Sequence, residues 1–396
     1  MMRSQSFAIS LATAGIVTVL GTPAQAFTFV EIASNQTANF TDLVNAAYAI
    51  NDVGTVTFVG ELDGQNGIFA GNGGVLTTVA DEGDGFLSFG DLDINSAGTV
   101  VFSADSDTRI VSSSGGLLTD VITVASSSGL IGFSANDGLW APVINELGTI
   151  AFSANNFATT DEGIFTINGG VVSTIADAPN FDLFRFSLNN NDDVAFFAIS
   201  TLAPDGDALF IGDGTGLPTP FADPMGFGTI EGPVLNDNGT VAFNALFLDA
   251  MFNPVVGNFR QGAGSPELVV DDQGPFDELG RPAINNAGTL VFQSGLDLGA
   301  PALFVGSDPV ADRVIGVGDM LLGSTITSIS FQERNGLNNQ GQFVFTAQFA
   351  DGSSGIFRAD PTQPPVQDVS EPAAWLGLVL IAGVGTVARR TRAQSS

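Results

Sequence analysis

The chain holds 396 residues with 42 acidic and 11 basic side chains, every base an arginine, and it contains neither histidine nor cysteine. A formal charge of −31 repels phosphate backbones, so nucleic acid is excluded as a natural partner. Disulfides, thiolate and imidazole metal sites, and thiol or imidazole catalysis go with the missing residues, and any metal must be held by oxygen.

Residues 1–26 read as a secretory signal. Arg3 supplies the positive charge, Phe7 to Gly21 the apolar run, and Ala24-Gln25-Ala26 the small residues at the cleavage position. The mature chain then opens on Phe27-Thr28-Phe29-Val30-Glu31-Ile32-Ala33, a stretch rich in β-formers. Without this signal and a C-terminal segment starting at residue 370, 41 acids face seven arginines, a formal charge of −34.

From residue 50 onward one pattern recurs seven times: a hydrophobic residue, Asn, two residues, Gly, three residues and Phe. The asparagines are Asn51, Asn95, Asn145, Asn189, Asn236, Asn285 and Asn338, with gaps of 44, 50, 44, 47, 49 and 53 residues. The phenylalanines are Phe58, Phe102, Phe152, Phe196, Phe243, Phe292 and Phe345. Each period is too short for a domain, so each is one supersecondary unit that buries its apolar face against its neighbours.

Within a period, short runs of Val, Ile, Phe and Thr bounded by Gly, Ser, Asn or Asp predict four antiparallel strands, as in residues 85–124. An Asn side chain accepts from the backbone ahead of it and a Gly three residues on takes positive φ, so Asn-x-x-Gly closes the hairpin between strands one and two. The fourth period has Asp192 at the Gly position, and Asp tolerates that conformation better than most residues. The Phe four residues after the Gly falls on one face each time and suits packing between sheets. A second landmark marks strand three: Ile68-Phe69, Ile164-Phe165, Leu209-Phe210, Leu303-Phe304 and Ile356-Phe357, with Arg109-Ile110 and Asn258-Phe259 as weaker versions.

Four strands in 40 to 50 residues is the signature of a β-propeller blade. The expected fold is therefore all-β, a seven-bladed propeller over residues 27–360. The last period stops after its third strand, and Phe27–Ala33 resembles the fourth-strand segment Val75–Ala80. The N-terminal strand is thus expected to complete the seventh blade and leave no open sheet edge.

The Asn-x-x-Gly and Gly-Gly turns fall at one end of such a ring, and the variable, acidic loops at the other, where recognition is expected. Asp105 and Asp107, and Asp205 and Asp207, are the candidate oxygen ligands there for Ca²⁺, the one cofactor considered. Neither an EF-hand spacing nor a glycine-aspartate nonapeptide is present, and solvated loop charge is the plainer account of these residues. Paired carboxylates also admit glycosidase-type acid and base chemistry, though a catalytic acid needs a desolvated pocket that a flexible loop does not provide.

After a linker at 361–369, Ser370-Glu371-Pro372 precedes the apolar stretch 373–388, which is followed by Arg389, Arg390 and Arg392. Its length falls slightly below the about 20 residues of a stable span, and the arginines hold its end on the cytoplasmic side. This order resembles the PEP-CTERM sorting signal of Gram-negative bacteria, with Ser370 where that family usually has Pro. The resemblance implies a transient inner-membrane anchor, an exosortase-like processing enzyme as partner, and release to the cell surface or the extracellular matrix. The repeats are similar to bacterial tandem-repeat families with an Asn-x-x-Gly-x-x-x-Phe consensus, which adds only to the architecture. The expected function is a non-catalytic binding or structural module for a polysaccharide, a surface protein or cations. The alternative is an extracellular polysaccharide hydrolase or lyase using loop carboxylates.

Overall fold

The computed structural model describes residues 26–41, 43–106, 108–123, 130–131, 142–156, 162–177, 181–200, 207–222, 227–296 and 299–362. Residues 1–25 and 363–396, on which the expected signal, linker and sorting tail fall, lie outside them. Seven antiparallel sheets form seven blades, and in blades 1 to 6 the strands follow one another outward in sequence order. Blade 1 comprises Tyr48–Ile50, Val56–Leu62, Gln65–Gly71 and Thr77–Asp81, and blade 2 comprises Phe89–Ile94, Val100–Ala104, Arg109–Ser114 and Leu117–Thr123. The innermost strand is split in two in blades 3 and 6, and in blade 7 it extends into a small hairpin. Among the described residues the only helical element is a single 3₁₀ turn at Glu82–Asp84, and no helix there is long and apolar enough to cross a membrane.

The seventh blade closes as expected. Its third strand, Ser354–Pro361, pairs antiparallel with Phe27–Ser34, from Phe27 opposite Pro361 to Ser34 opposite Gly355. The first residue after the anticipated cleavage point is therefore also the first residue of the outer strand. Phe27 and Phe29 set their rings edge-on against Phe343 and Phe345, at 5.4 and 6.0 Å. The closing strand runs to Pro361, one residue past the anticipated domain end.

The repeated phenylalanines hold the sheets together. All seven are fully buried, and in six blades each faces a third-strand Phe directly across the ladder, with ring centroids 5.5 to 5.9 Å apart. Each buried ring contributes about 1.5–3 kcal/mol relative to exposure, and the paired rings add about 0.5–1.5 kcal/mol. Blade 2 is the exception. Phe102 faces Val111, and Phe86 and Phe89 supply the aromatic contacts instead, at 5.5 and 5.9 Å. The third-strand landmark of this blade is therefore Ile110-Val111, one residue later than the Arg109-Ile110 expected from sequence. The aliphatic Ile110 occupies the site of Ile68, and a β-branched Val replaces the ring. Beside the landmark every third strand of blades 1 to 6 shifts register against the fourth, as between Ile68 and Phe69, a bulge that sharpens the twist of the outer edge.

Candidate functional site

The two ends of the ring are built differently. At the hairpin end each consensus Asn is buried and uses its whole amide group. Its Oδ1 accepts from the backbone N–H four residues on, as for Thr55 at 2.8 Å, Thr240 at 2.9 Å and Gln342 at 2.9 Å. Its Nδ2 donates to the main-chain carbonyl of the next blade's Asn. These donations run 51→95→145→189→236→285→338→51 at 2.8 to 3.4 Å, a closed circuit of seven. The Gly three residues later has φ near +80°, as at Gly54 (81°), and Asp192 takes its place with φ 65°. The Asp192 carboxylate also accepts from Asn145 Nδ2 at 2.8 Å, a bond that glycine cannot make. A second girdle lies beside the first. At six of the seven junctions the backbone N–H after the Asn donates to a side-chain oxygen one blade on, as Asp237 does to Asn286 and Asn339 does to Asp52, both at 2.8 Å.

At the opposite end the described loop acids Asp105, Asp249 and Asp351 are engaged with nearby protein groups. Asp105 accepts from Leu87 N–H at 2.8 Å and pairs with Arg109 at 3.0 Å. Asp107 and Asp205 lie outside the described residues, and Asp207 opens the third strand of blade 4. Asp249 accepts from the N–H groups of Met251 and Asn253, and Asp351 from the N–H and hydroxyl of Ser353. Hydrogen bonds to these turns hold the Asp249 and Asp351 carboxyls below the usual carboxylate range. Among the described residues no group of three or more acids is placed to hold a metal ion. Ser370, Glu371, Pro372, Arg389, Arg390, Arg392 and Ala24 also lie outside the described residues. Ala26 is the first described residue, and its carbonyl accepts from Thr362 N–H at 2.8 Å.

The central channel is where unlike side chains converge. Near the Asn circuit it holds a cavity of about 150 Å³, and further in a wider one of about 310 Å³. Arg185, Arg281 and Arg334 line the wider part. Each stands four residues before a consensus Asn, in blades 4, 6 and 7; Arg185 lies on the inner strand Phe181–Leu188 of blade 4, while Arg281 and Arg334 lie on the non-strand segments that lead into the Asn hairpins of blades 6 and 7. Arg185 reaches Glu333 at 3.3 Å, while Arg281 lies 3.7 Å from the same carboxylate and 2.7 Å from Glu231. The Arg334 guanidinium lies over the Phe186 ring, 5.7 Å from its centroid, which brings blade 7 against blade 4 across the lumen. Adjoining this cavity, a cleft of about 490 Å³ opens between blades 1 and 2, lined by Glu61, Asn66, Phe89 and Asp91.

One acid in the channel wall differs from the rest. Asp93 is buried, accepts from Ile94 N–H at 2.8 Å and from Ile144 N–H of blade 3 at 2.9 Å, and burial pushes its carboxyl up to about 7 against those bonds. In blade 4 Ser187 occupies the equivalent site and accepts from Leu235 N–H at 2.9 Å. Sequence reading passed over both Asp93 and the three arginines. The available signal was their constant offset from the consensus Asn.

No protein-family profile matches the chain, and no curated protein sequence matches it. Among solved structures, prolyl oligopeptidase B from Galerina marginata is similar at a TM-score of 0.53 and 11% identity, over 86% of this chain and 49% of that one. Virginiamycin B lyase from Staphylococcus aureus gives 0.43 and 13%, over 84% and 99%. TolB from Acinetobacter baumannii gives 0.42 and 13%, over 68% and 62%. The chain thus spans about half of the first protein and about three-fifths of the third. Likeness at these identities establishes the fold alone: the chain is a seven-bladed β-propeller.

Proposed function

We propose that this is an exported propeller, sorted by its C-terminal tail through an exosortase-like enzyme to the cell surface or extracellular matrix, where it binds a ligand without transforming it. The observation that carries the reading is the contrast between the two ends of the channel. One end is laced by a repeated circuit of main-chain contacts, and the other gathers side chains that occur in some blades only. Non-repeating polar groups converging in a concavity are what a binding site requires. Both chain ends support the sorting step. Phe27 and Pro361 lie side by side at the hairpin face, so an anchor leaving from that face keeps the arginine-lined mouth free. Purified protein screened on a polysaccharide array, with parallel assays for product, tests the reading: saturable binding without turnover supports it.

A second reading has one specific observation in its favour, the Asp93 carboxyl whose proton affinity lies in the range of a catalytic acid. A propeller hydrolase or lyase built on it requires turnover on the same array that Asp93→Asn abolishes. Turnover indifferent to that substitution removes Asp93 from consideration.

A further inference from the structure

We infer that the wide part of the channel is a receptor for an oxyanion, a carboxylate or phosphate group on the ligand, held by Arg334 with Arg185 and Arg281. This rests on the binding reading above and narrows its ligand class. Outside the two terminal segments the chain has seven arginines, and three of them share this one lumen.

Arg334 is the centre of the site. Among the described residues its guanidinium makes no hydrogen bond and no ion pair, only the contact with Phe186. Its five donors in a planar fork match two oxygens of a carboxylate or phosphate. The segment that carries it is tied on both sides. Gln332 donates from its N–H to Tyr48 Oη at 2.8 Å and from Nε2 to the Ala46 carbonyl at 3.2 Å. Asn335 donates to the Leu92 carbonyl at 3.1 Å and accepts from Ile50 N–H at 2.9 Å. The guanidinium is therefore placed before any ligand arrives, which lowers the ordering cost of binding.

The neighbouring acids are taken up by the other two arginines. Arg185 and Arg281 share the carboxylate of Glu333, and Arg281 also pairs with Glu231 at 2.7 Å, so among the described residues Arg334 is the one guanidinium of the three without an ion pair. Burial holds the Arg185 guanidinium below its ordinary proton affinity, and the positive charges of Arg281 and Arg334 push the same way. The Arg281 stem lies against Gly232, where a Cβ would come within 2.4 Å of Arg281 Cδ, so blade 5 gives way for this side chain. Facing the cluster on the blade 2 wall are Asp93, whose carboxyl stands near 7, and Asp91, which is exposed. Asp91 can accept from ligand hydroxyls while the arginines hold the anion. The acidic outer surface does not oppose this at close range, because its field is screened beyond about 8 Å at physiological salt. A volume of about 310 Å³ suits one small acidic unit.

Calorimetric titration of the purified protein with D-glucuronate, inorganic phosphate and neutral glucose tests the inference. One-site binding of either anion is expected, weakened about tenfold in Arg334→Gln and unchanged in Arg313→Gln, whose guanidinium pairs with Asp319 at 2.8 Å away from the channel. Arg334→Lys, which keeps the charge and loses the fork, should fall between, and it replaces Arg334→Gln if that variant does not fold. Tighter glucuronate assigns a sugar acid and tighter phosphate a phosphorylated ligand, and both uphold the inference. No heat with either anion up to about 10 mM, or equal affinity in a folded Arg334→Gln, overturns it. A neutral polysaccharide that binds while both anions fail would leave the binding reading standing and remove only the oxyanion.

Discussion

Replacing one asparagine of the circuit measures what joins blade to blade. In Asn236→Ala three bonds disappear: Nδ2 to the Asn285 carbonyl at 2.9 Å, and Oδ1 from Asn238 N–H at 3.0 Å and from Thr240 N–H at 2.9 Å. At about 1 kcal/mol per bond the loss is about 3 kcal/mol. With an unfolding entropy of about 2.1 cal/mol/K per residue over about 340 residues, this corresponds to a drop of about 4 °C in melting temperature. Asp249→Ala is the control. Asp249 makes the same pair of turn bonds, both at 2.8 Å, but is exposed and joins no second blade, so about 1 °C is expected. Asn236→Asp separates donor from acceptor, because it keeps Oδ1 and turns the donor into an oxygen facing the Asn285 carbonyl. It should be less stable than Asn236→Ala at neutral pH, and recover below about pH 5 as the new acid gains a proton to donate. Scanning calorimetry reads all three. If Asn236→Asp melts at the wild-type temperature at pH 7, donation between blades contributes nothing and the reasoning fails.

Arg358 is buried at the junction of blades 7 and 1, where it donates to the Gly54 carbonyl and to Asn72 Oδ1 and pairs with Asp360. Arg358→Ala should cost about 3 kcal/mol, read as a lower denaturation midpoint with an unchanged slope. The native state holds the Asp93 proton more tightly than the unfolded chain does, because burial pushes its carboxyl up to about 7 from the ordinary 3.8 of an aspartate. This group's contribution to stability therefore falls as pH rises from about 4 to 7, by at most about 4 kcal/mol. Melting temperatures from pH 4 to 8 should show that slope in the wild type and a flatter one in Asp93→Asn. In Asp192→Gly, relief of a left-handed backbone offsets the lost bond from Asn145, and stability should change by less than about 1 kcal/mol. Asp192→Leu keeps the strain and loses the bond, and should cost about 2 kcal/mol by the same thermal assay.

The ring itself was legible because its determinants are local and periodic. Asn and Gly spacing reports a turn, the buried Phe reports a face, and the unpaired opening strand reports where the sheet must close. What each Asn does with its amide nitrogen was not legible, since its acceptor lies about 47 residues away by rule of the repeat and is a main-chain atom that any residue could supply. Composition drew attention to the many acids at the loop end, yet those carboxylates satisfy their own turns, as Asp249 and Asp351 do. The three arginines were too few to register in a net charge. Their significance comes from a shared offset from the consensus Asn in three blades, which only the assembled ring brings into one lumen. The Val111 exception shows the limit of a two-residue landmark where a β-branched residue replaces an aromatic one.

The pairing of Phe27–Ser34 with Ser354–Pro361 also sets when the molecule can finish folding. Joining segments more than 300 residues apart costs roughly 5 kcal/mol of chain entropy by the loop-closure relation, and non-local pairings of this kind slow the approach to the native state. Until the last strand has been synthesised, the opening segment has no partner within its own sheet. Under the export proposed above, the opening segment would stay unclasped during passage and would gain its partner once both termini had arrived in the same compartment.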